Sequence, residues 1–238
     1  MTDSALARLF DRVLVINLPQ RADRRRGIDA ELRKVGLALD HPKVEVFAAI
    51  RPDHAAGFPS IGAHGAFRSH LGVMERMLDQ GWERVLVLED DMAFTPGFAA
   101  RLEALVAALQ NRPWAMLYGH AGDNPPLADA LGLIDLPPDR NLIQLHFLGL
   151  SRSAAASAIP FLQAMLARPP GSPQGGPMHV DGALNWFRRA HPDLKVLALD
   201  PPIAHQRASR SDIADPRWFD RWPVLRPLVT LARKLKGG

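Results

Sequence analysis

The chain has 238 residues, of which 47% are hydrophobic, so it can bury the core of one α/β domain, or of one domain with a small appendage. It contains no cysteine, which excludes disulfides, thiolate zinc sites and cysteine nucleophiles and is compatible with a reducing cytoplasm. No uninterrupted apolar run approaches the roughly 18 residues that cross a bilayer, so we expect a soluble, cytoplasmic protein. Residues 207–238 carry a net charge of +5 and the rest of the chain carries −1, which gives the total of +4. The nearly neutral remainder has no basic face with interleaved aromatics, so we expect no nucleic-acid partner.

Strand-like and helix-like hydrophobic patterns alternate along the chain. The predicted strands are 13–17, 44–48, a strand that starts at Val85, 115–118, 142–147 and 196–199. The predicted helices are 23–35, 65–80, 98–109 and about 153–167. A Pro- and Gly-rich loop at 168–178 is a candidate lid or a plain surface connection. The alternation predicts an α/β fold, with residues 1–206 as one domain and 207–238 as a basic tail.

The first predicted strand runs directly into Asn17 and a cluster of arginines. Arginine forks suit phosphate and carboxylate groups, so Asn17, Arg21 and Arg24 are candidate contacts to an anionic ligand at the end of this strand. Arg25 and Arg26 are better explained as a solvated basic helix face.

The strand that starts at Val85 ends in three consecutive carboxylates, Glu89, Asp90 and Asp91. In open α/β sheets, ligands bind outside the carboxyl ends of the strands, so these acids should face a pocket. Three like charges repel one another unless a cation offsets them, and a divalent ion shared with a diphosphate is the simplest such cation. The alternative is a solvated acidic turn in which Asp91 or Thr95 caps the next helix.

Three further positions carry candidate chemistry. Ser69 and His70 lie in the helix before the acidic strand, where a lone histidine is more often structural than a ligand. Asp181 starts a predicted helix after the Pro- and Gly-rich loop, which suits either a general base for a substrate hydroxyl or simple helix capping. His205 follows the last predicted strand and would either add a nitrogen ligand to a metal or hydrogen-bond a turn.

Taken in order, these segments resemble the bacterial glycosyltransferase family 25, whose members include lipopolysaccharide galactosyltransferases and whose relatives modify collagen. The resemblance is carried by VLVINLPQRADRR near the N-terminus, by IGAHGAFRSHLGVMERMLDQGWERVLVLEDDMAF, and more loosely by WAMLYGH, HFLGLSRSAA and VDGAL. It spans most of the chain. The chain departs from the usual family pattern at Ala66, where cysteine is usual, and at Gly182, where glutamate often follows the aspartate.

The resemblance implies a GT-A type, Rossmann-like mixed sheet flanked by helices, with a divalent metal, Mn²⁺ or Mg²⁺, at the acidic motif. It also implies transfer of a sugar, galactose among the candidates, from a nucleoside diphosphate donor, for which a UDP-sugar is the first choice. The expected acceptor is a glycan or glycolipid of the cell envelope. The residues expected at the nucleotide sugar are Asn17, Arg21, Arg24, Ser69, His70, Glu89 and Asp90. The expected metal ligands are Asp91, Glu89 and His205.

This chemistry also fits the residues themselves. The charge of a leaving diphosphate must be neutralised while positive character builds at the anomeric carbon. Glu89 would hold a ribose hydroxyl and Asp91 the metal, with Asp90 in support. Asp181 would deprotonate the acceptor if the reaction inverts configuration and would bind the acceptor if it retains configuration. Two other classes stay open: a catalytically silent sugar-binding or scaffolding protein, and a metal-dependent phosphoesterase.

The basic tail combines cations with apolar side chains. This pattern suits a peripheral segment on an anionic membrane, where a lipid-linked acceptor would reside. The alternative is a C-terminal helix packed on the body, which Pro223 and Pro227 would restrict to the last turns. The apolar residues concerned are Trp218, Phe219, Trp222, Leu225, Leu228, Val229, Leu231 and Leu235.

Overall fold

The structure is a computed structural model that describes residues 4–207, so the tail that follows Arg207 lies outside the described residues. The helices are α1 (Ala5–Leu9), α2 (Ala22–Arg33), α3 (Ile61–Asp79), α4 (Ala99–Asn111), α5 (Arg152–Leu166) and α6 (Val180–Ala190). The strands are β1 (Arg12–Asn17), β2 (Val44–Ala48), β3 (Arg84–Glu89), β4 (Met92–Phe94), β5 (Met116–Tyr118), β6 (Leu133–Asp135), β7 (Phe147–Ser151), β8 (Val196–Leu199) and β9 (Ala204–Gln206).

Within residues 4–207, seven strands form one mixed sheet in the order β2-β1-β3-β7-β5-β8-β6. β1, β2, β3, β5 and β8 run in one direction, and β7 and β6 run against their neighbours. The carboxyl ends of the five parallel strands therefore share one edge of the sheet, and β7 begins at that edge. β4 and β9 form a separate antiparallel pair. The predicted fold class, a mixed α/β sheet flanked by helices, is confirmed.

Helices cover both faces of the sheet, and the alternation of side chains along the strands divides the core into two layers. Leu14 and Val87 point to one face and pack with α3, α5 and α6. Val13 and Leu86 point to the other and pack with α1, α2 and α4. Each fully buried side chain of this kind contributes about 1.5–3 kcal/mol, so the central strands are stabilised on both faces.

The prediction of a strand at 142–147 is wrong. The observed strand β7 begins at Phe147, and the residues before it are irregular because Gln144 has a φ of 73°. Leu142 is held by the side chain of Asn185 in place of a neighbouring strand. α1, β4, β6 and β9 were not predicted, since elements of three to five residues are too short for their periodicity to be recognised.

The other predicted elements are present with shifted ends. α3 begins at Ile61, four residues before its predicted start, because Ser60 caps it by accepting a hydrogen bond from the backbone N–H of Ala63. In the described part of the chain, no helix is long and apolar enough to span a membrane.

Candidate active site

The pleat of β3 sends the neighbouring acids of the Glu-Asp-Asp motif to opposite sides of the sheet. Val87 packs on the side of α3, and Glu89, two residues later, points to that side and meets His70 of α3. Leu88 packs on the side of α2, and Asp90, two residues later, points to that side and contacts Arg24 of α2. Adjacent carboxylates of one motif therefore have different partners.

Asp90 is an anchored, buried carboxylate. It is 6% exposed, and both of its oxygens accept hydrogen bonds, from Asn17 Nδ2 at 2.7 Å and from Arg24 Nη1 at 2.9 Å. Arg25 Nε donates to Asn17 Oδ1 at 3.2 Å, and Arg207 Nη2 donates to the backbone carbonyl of Asp90 at 2.8 Å. These contacts fix Asp90 between Glu89 and Asp91.

Asp91 is also buried, at 5% exposure. Its Oδ2 accepts from Gln206 Nε2 at 3.1 Å and lies 3.4 Å from Arg24 Nη1, whereas its buried Oδ1 has no hydrogen-bond partner within residues 4–207. Burial raises the pKa of Asp91, and the charge of Arg24 opposes that shift. The alternative of a solvated acidic turn is therefore wrong. The N-cap of α4 is Phe98, so neither Asp91 nor Thr95 caps that helix.

Glu89 faces His70 across 3.7 Å between Oε1 and Nε2, which is too long for a hydrogen bond. His70 Nδ1 donates to the carbonyl oxygen of Ala66 at 3.0 Å, so Nε2 carries the lone pair of the neutral ring. Burial lowers the pKa of His70, and burial followed by the charges of Asp91 and Asp90 raises the pKa of Glu89 to about 8. In the absence of a cation, the two groups are an uncharged acid and imidazole rather than an ion pair. The Glu89 side chain is 20% exposed and reaches the surface of the site.

Asp181 lies at the same edge, close enough for its negative charge to raise the pKa of both Glu89 and His70. Its Oδ2 accepts from the backbone N–H of Gln144 at 3.2 Å, and its Oδ1 accepts the next N–H of its own helix at 2.7 Å. The N-cap position of α6 is occupied by His179, so Asp181 is not the N-cap residue, although its Oδ1 satisfies one N–H of the first turn. Asp181 is the second helical residue, where a negative charge still favours the helix dipole.

Two residues predicted to contact the nucleotide have other partners. Arg21 donates to Asp23 through Nε at 3.0 Å and Nη2 at 2.9 Å. Ser69 has no exposed surface; its Oγ donates to the carbonyl of Gly65 at 2.7 Å and accepts from the N–H of Ile50 at 2.8 Å. Ser69 thus ties α3 to the residues that follow β2, and its expected role as a ligand contact is corrected to a structural one.

The remaining acids supply the donor atoms that a divalent cation prefers. Among the described residues, Asp91 Oδ1 is buried without a hydrogen-bond partner, and carboxylate oxygen is the usual ligand of Mg²⁺ and Mn²⁺. His205 is exposed and pairs with Ala93 between β4 and β9. In the described residues, no three acid or histidine side chains converge as a preformed metal centre. The donor set therefore fits an ion held by Asp91 and Glu89 and completed by substrate phosphates or water.

The predicted residues that the structure brings to this edge are Asn17, Arg24, His70, Glu89, Asp90, Asp91 and Asp181. Sequence reasoning missed Gln144, whose positive φ leaves no mark in the sequence, and also Gln206 and Arg207. Gln206 is in β9 and Arg207 follows it, and a strand of three residues is too short to show a hydrophobic periodicity in the sequence. A separate cleft of about 390 Å³, lined by residues 135–137 and 192–196, opens at the opposite edge of the sheet.

Comparison with known proteins identifies relatives of the chain. No family model matches the sequence. The chain is 29% identical over 135 residues to the Homo sapiens protein named inactive glycosyltransferase 25 family member 3, a match that covers 49% of this chain and 23% of that protein. It is 31% identical over 127 residues to Danio rerio procollagen galactosyltransferase 1, with 46% of this chain and 21% of that protein covered. The matches thus span less than a quarter of the length of these curated relatives. They confirm the predicted resemblance: over about half of its length, the chain is similar to glycosyltransferase family 25.

Among solved structures, one similar chain is a glycosyltransferase involved in the glycosylation of the major capsid of PBCV-1. The TM-score is 0.41 at 10% sequence identity, and the alignment covers 79% of this chain and 92% of that chain.

Proposed function

We propose that this protein is a glycosyltransferase that moves a sugar from a nucleoside diphosphate sugar to a hydroxyl group of a saccharide or lipid-linked acceptor, with Mn²⁺ or Mg²⁺ as cofactor. One observation carries the proposal: Glu89, Asp91, Asp181 and Arg24 lie together at the carboxyl edge of the sheet. Arg24 contacts Asp91, and the charges of Asp91, Asp181 and Arg24 all act on Glu89. The similarity to glycosyltransferase family 25 supports the same class of activity.

The donor side of the proposed site is formed by Arg24, Asp91 and Glu89. A leaving diphosphate is stabilised by cations placed where its charge develops. A divalent ion held by Asp91 and Glu89 would supply most of that neutralisation when bound. Arg24, which lies against Asp90 and Asp91, adds a fixed positive charge at the same place. Glu89 is the one acid of the motif with a partly exposed side chain, which also suits contact with a ribose hydroxyl.

The acceptor side is assigned to Asp181. If the configuration inverts, its carboxylate takes the proton of the acceptor hydroxyl as that oxygen bonds to the anomeric carbon and the bond from that carbon to the diphosphate oxygen breaks. The diphosphate leaves with the bonding electron pair. If the configuration is retained, the same carboxylate binds the acceptor hydroxyl. The backbone N–H groups on both of its oxygens fix the orientation that either role needs.

Galactose is the first donor sugar to test, because one relative is named a procollagen galactosyltransferase. We place the acceptor in cell-envelope glycan synthesis, at the cytoplasmic face of the membrane, where the basic tail of residues 207–238 would approach anionic lipid.

A second candidate is a catalytically silent sugar-binding protein on the same fold. The observation that favours it is the similarity to proteins named inactive glycosyltransferase 25 family member 3. Such a protein binds donor without turning it over. Turnover therefore separates the two candidates.

The test is a panel of nucleotide sugars, UDP-galactose and UDP-glucose among them, with and without Mn²⁺. Thermal shift identifies the donor that binds, and release of nucleoside diphosphate is then measured with and without a panel of saccharide and glycolipid acceptors. The proposal expects binding that depends on Mn²⁺ and release that an acceptor stimulates. Binding without any release supports the silent protein, and release of inorganic phosphate supports a phosphoesterase.

A further inference from the structure

We propose that Asn185 is a positioning residue for sugar transfer, because it holds residues 142–146 in the conformation that fixes Asp181 relative to Glu89. This inference deepens the proposed function and rests on it.

One face of α6 is polar and lies along the irregular segment before β7. Asp181, Asn185 and Arg188 are spaced four and three residues apart, so they share that face. Each of them forms hydrogen bonds to the backbone of residues 137–144. Asp181 accepts from the N–H of Gln144, and Asn185 bonds to both the N–H and the carbonyl of Leu142. Arg188 donates to the carbonyl of Pro137 at 2.7 Å.

Asn185 makes the central contact of this series. Its Oδ1 accepts from the N–H of Leu142 at 3.0 Å, and its Nδ2 donates to the carbonyl of Leu142 at 2.7 Å. The two bonds satisfy both backbone groups of Leu142, as a neighbouring strand would. Oδ1 also accepts from Arg188 Nη1 at 3.2 Å, which fixes the amide orientation. Asn185 is buried, at 6% exposure, and its side chain bonds to Leu142 and Arg188, so we expect its effect on the reaction to pass through these two residues.

The segment that Asn185 holds is strained and joins the two sides of the site. Gln144 has a φ of 73°, a conformation that is unfavourable for a residue other than glycine and persists only when its surroundings enforce it. Its N–H donates to Asp181, and its carbonyl accepts from His120 Nε2 at 3.1 Å. Two residues later, the carbonyl of His146 accepts from the N–H of Glu89 at 3.2 Å. The segment therefore sets the separation of Asp181 from Glu89.

Loosening this segment should affect the chemical step and leave donor binding intact. Donor contacts are assigned to Arg24, Asp91 and Glu89, none of which bonds to the side chain of Asn185. A shift of about 1 Å in a reacting group costs about 100-fold in rate, so even partial release of Asp181 should lower kcat at least about 10-fold.

The variant is Asn185→Asp in the full-length chain, with Asn141→Asp as its matched control. Asn185→Asp keeps an acceptor for the N–H of Leu142, loses the donor to its carbonyl and places a carboxylate beside the buried Arg188, so the fold should persist. Asn141 is exposed and contacts Arg189, which lies in α6 like Asn185. The identical change at Asn141 therefore leaves the hydrogen bonds between Asn185 and Leu142 in place.

Two measurements decide the proposal. Hydrogen exchange should be faster at residues 142–146 in Asn185→Asp than in the wild type and unchanged in Asn141→Asp. UDP release from UDP-galactose with Mn²⁺ should show a lower kcat in Asn185→Asp, with the Kd of UDP-galactose within about twofold of wild type. Unchanged exchange in that segment, or an unchanged kcat, overturns the positioning role. A wild-type protein without turnover overturns the proposed function, and with it the catalytic part of the inference, while hydrogen exchange still reports whether Asn185 holds the segment.

Discussion

The carboxyl group of Glu89 and the imidazole of His70 face each other at 3.7 Å, and the raised pKa of Glu89, about 8, and the lowered pKa of His70 both favour the uncharged form when no cation is bound. Asp90 and Asp91, the other two acids of the motif, have cationic partners instead. Arg24 lies against both of these carboxylates, and Arg207 donates to the backbone of Asp90. The positive charges of Arg24 and Arg207 thus lie beside Asp90 and Asp91. At Glu89, burial together with the neighbouring acids favours the neutral form.

Glu89→Gln should remove a pH dependence of stability from the cation-free protein. The pKa of Glu89 rises from 4.5 to about 8 on folding, so the folded state binds more protons between these values. The contribution of Glu89 is therefore complete below pH 4.5 and is lost as the pH rises through 8. The Gln variant should be more stable than the wild type at pH 8.5, by a difference on the order of a few kcal/mol at about 1.4 kcal/mol per pKa unit.

Urea unfolding in EDTA at several pH values checks this, with the exposed Glu83 changed to Gln as the control. The difference between Glu89→Gln and wild type should grow with pH, and that between Glu83→Gln and wild type should not. If the difference in unfolding free energy between Glu89→Gln and the wild type does not change with pH, Glu89 does not have a raised pKa in the folded protein.

Asp91→Asn should abolish Mn²⁺-dependent binding of UDP while the fold persists. The change removes the negative charge from the buried Oδ1, which has no partner within the described chain, and an amide is a much weaker ligand for a divalent ion. Calorimetry with UDP, with and without Mn²⁺, measures how strongly UDP binding depends on the metal. Asp135→Asn, at the opposite edge of the sheet, is the control. Undiminished Mn²⁺-linked binding in Asp91→Asn rules out the metal assignment.

Gly27→Ala should displace Arg207 from the motif. A Cβ at position 27 would clash with the guanidinium of Arg207, so that group must move away from the carbonyl of Asp90. The helix gains about 1 kcal/mol in propensity and loses one hydrogen bond of about 0.5–1.5 kcal/mol, so stability should change little. With one cation withdrawn, Mn²⁺ should bind more tightly by calorimetry, and Arg207→Ala should reproduce the effect. Unchanged Mn²⁺ affinity in both variants shows that Arg207 has no electrostatic role at the site.

The sequence predicts the sheet and the position of the acids because both are local patterns. The apolar run of β3 and the three acids that end it are visible without any tertiary information. What the pattern cannot show is which acid is buried, because that depends on Arg24 and Arg207, which are far from the motif in sequence. For the same reason, Ser69 was expected at a ligand, although its partners are the carbonyl of Gly65 in its own helix and the N–H of Ile50 after β2. The positive φ of Gln144 was not predicted for the same reason, since Gln144 is held by distant residues, Asp181 of α6 and His120.

The basic tail should bind anionic membranes. Residues after Arg207 lie outside the described part of the chain, so this prediction stays with the sequence pattern of cations and apolar side chains. Full-length protein should float with anionic liposomes at low salt, and a chain truncated at Asp215 should not. Failure of the full-length protein to float, or equal flotation of the truncated chain, contradicts a membrane role.

The measurement that tests the central claim most directly is nucleoside diphosphate release by Asp181→Asn, with the donor and acceptor that support wild-type turnover. Asn can still accept the N–H of Gln144 through its amide oxygen but no longer the N–H of Gly182, so the change removes the charge and the base together with one hydrogen bond at the start of α6. General-base catalysis contributes about 10²–10⁴-fold, so release at saturating acceptor should fall by about 100-fold or more while donor affinity stays near that of the wild type. A variant that keeps most of the wild-type turnover contradicts the assignment of Asp181 as the base.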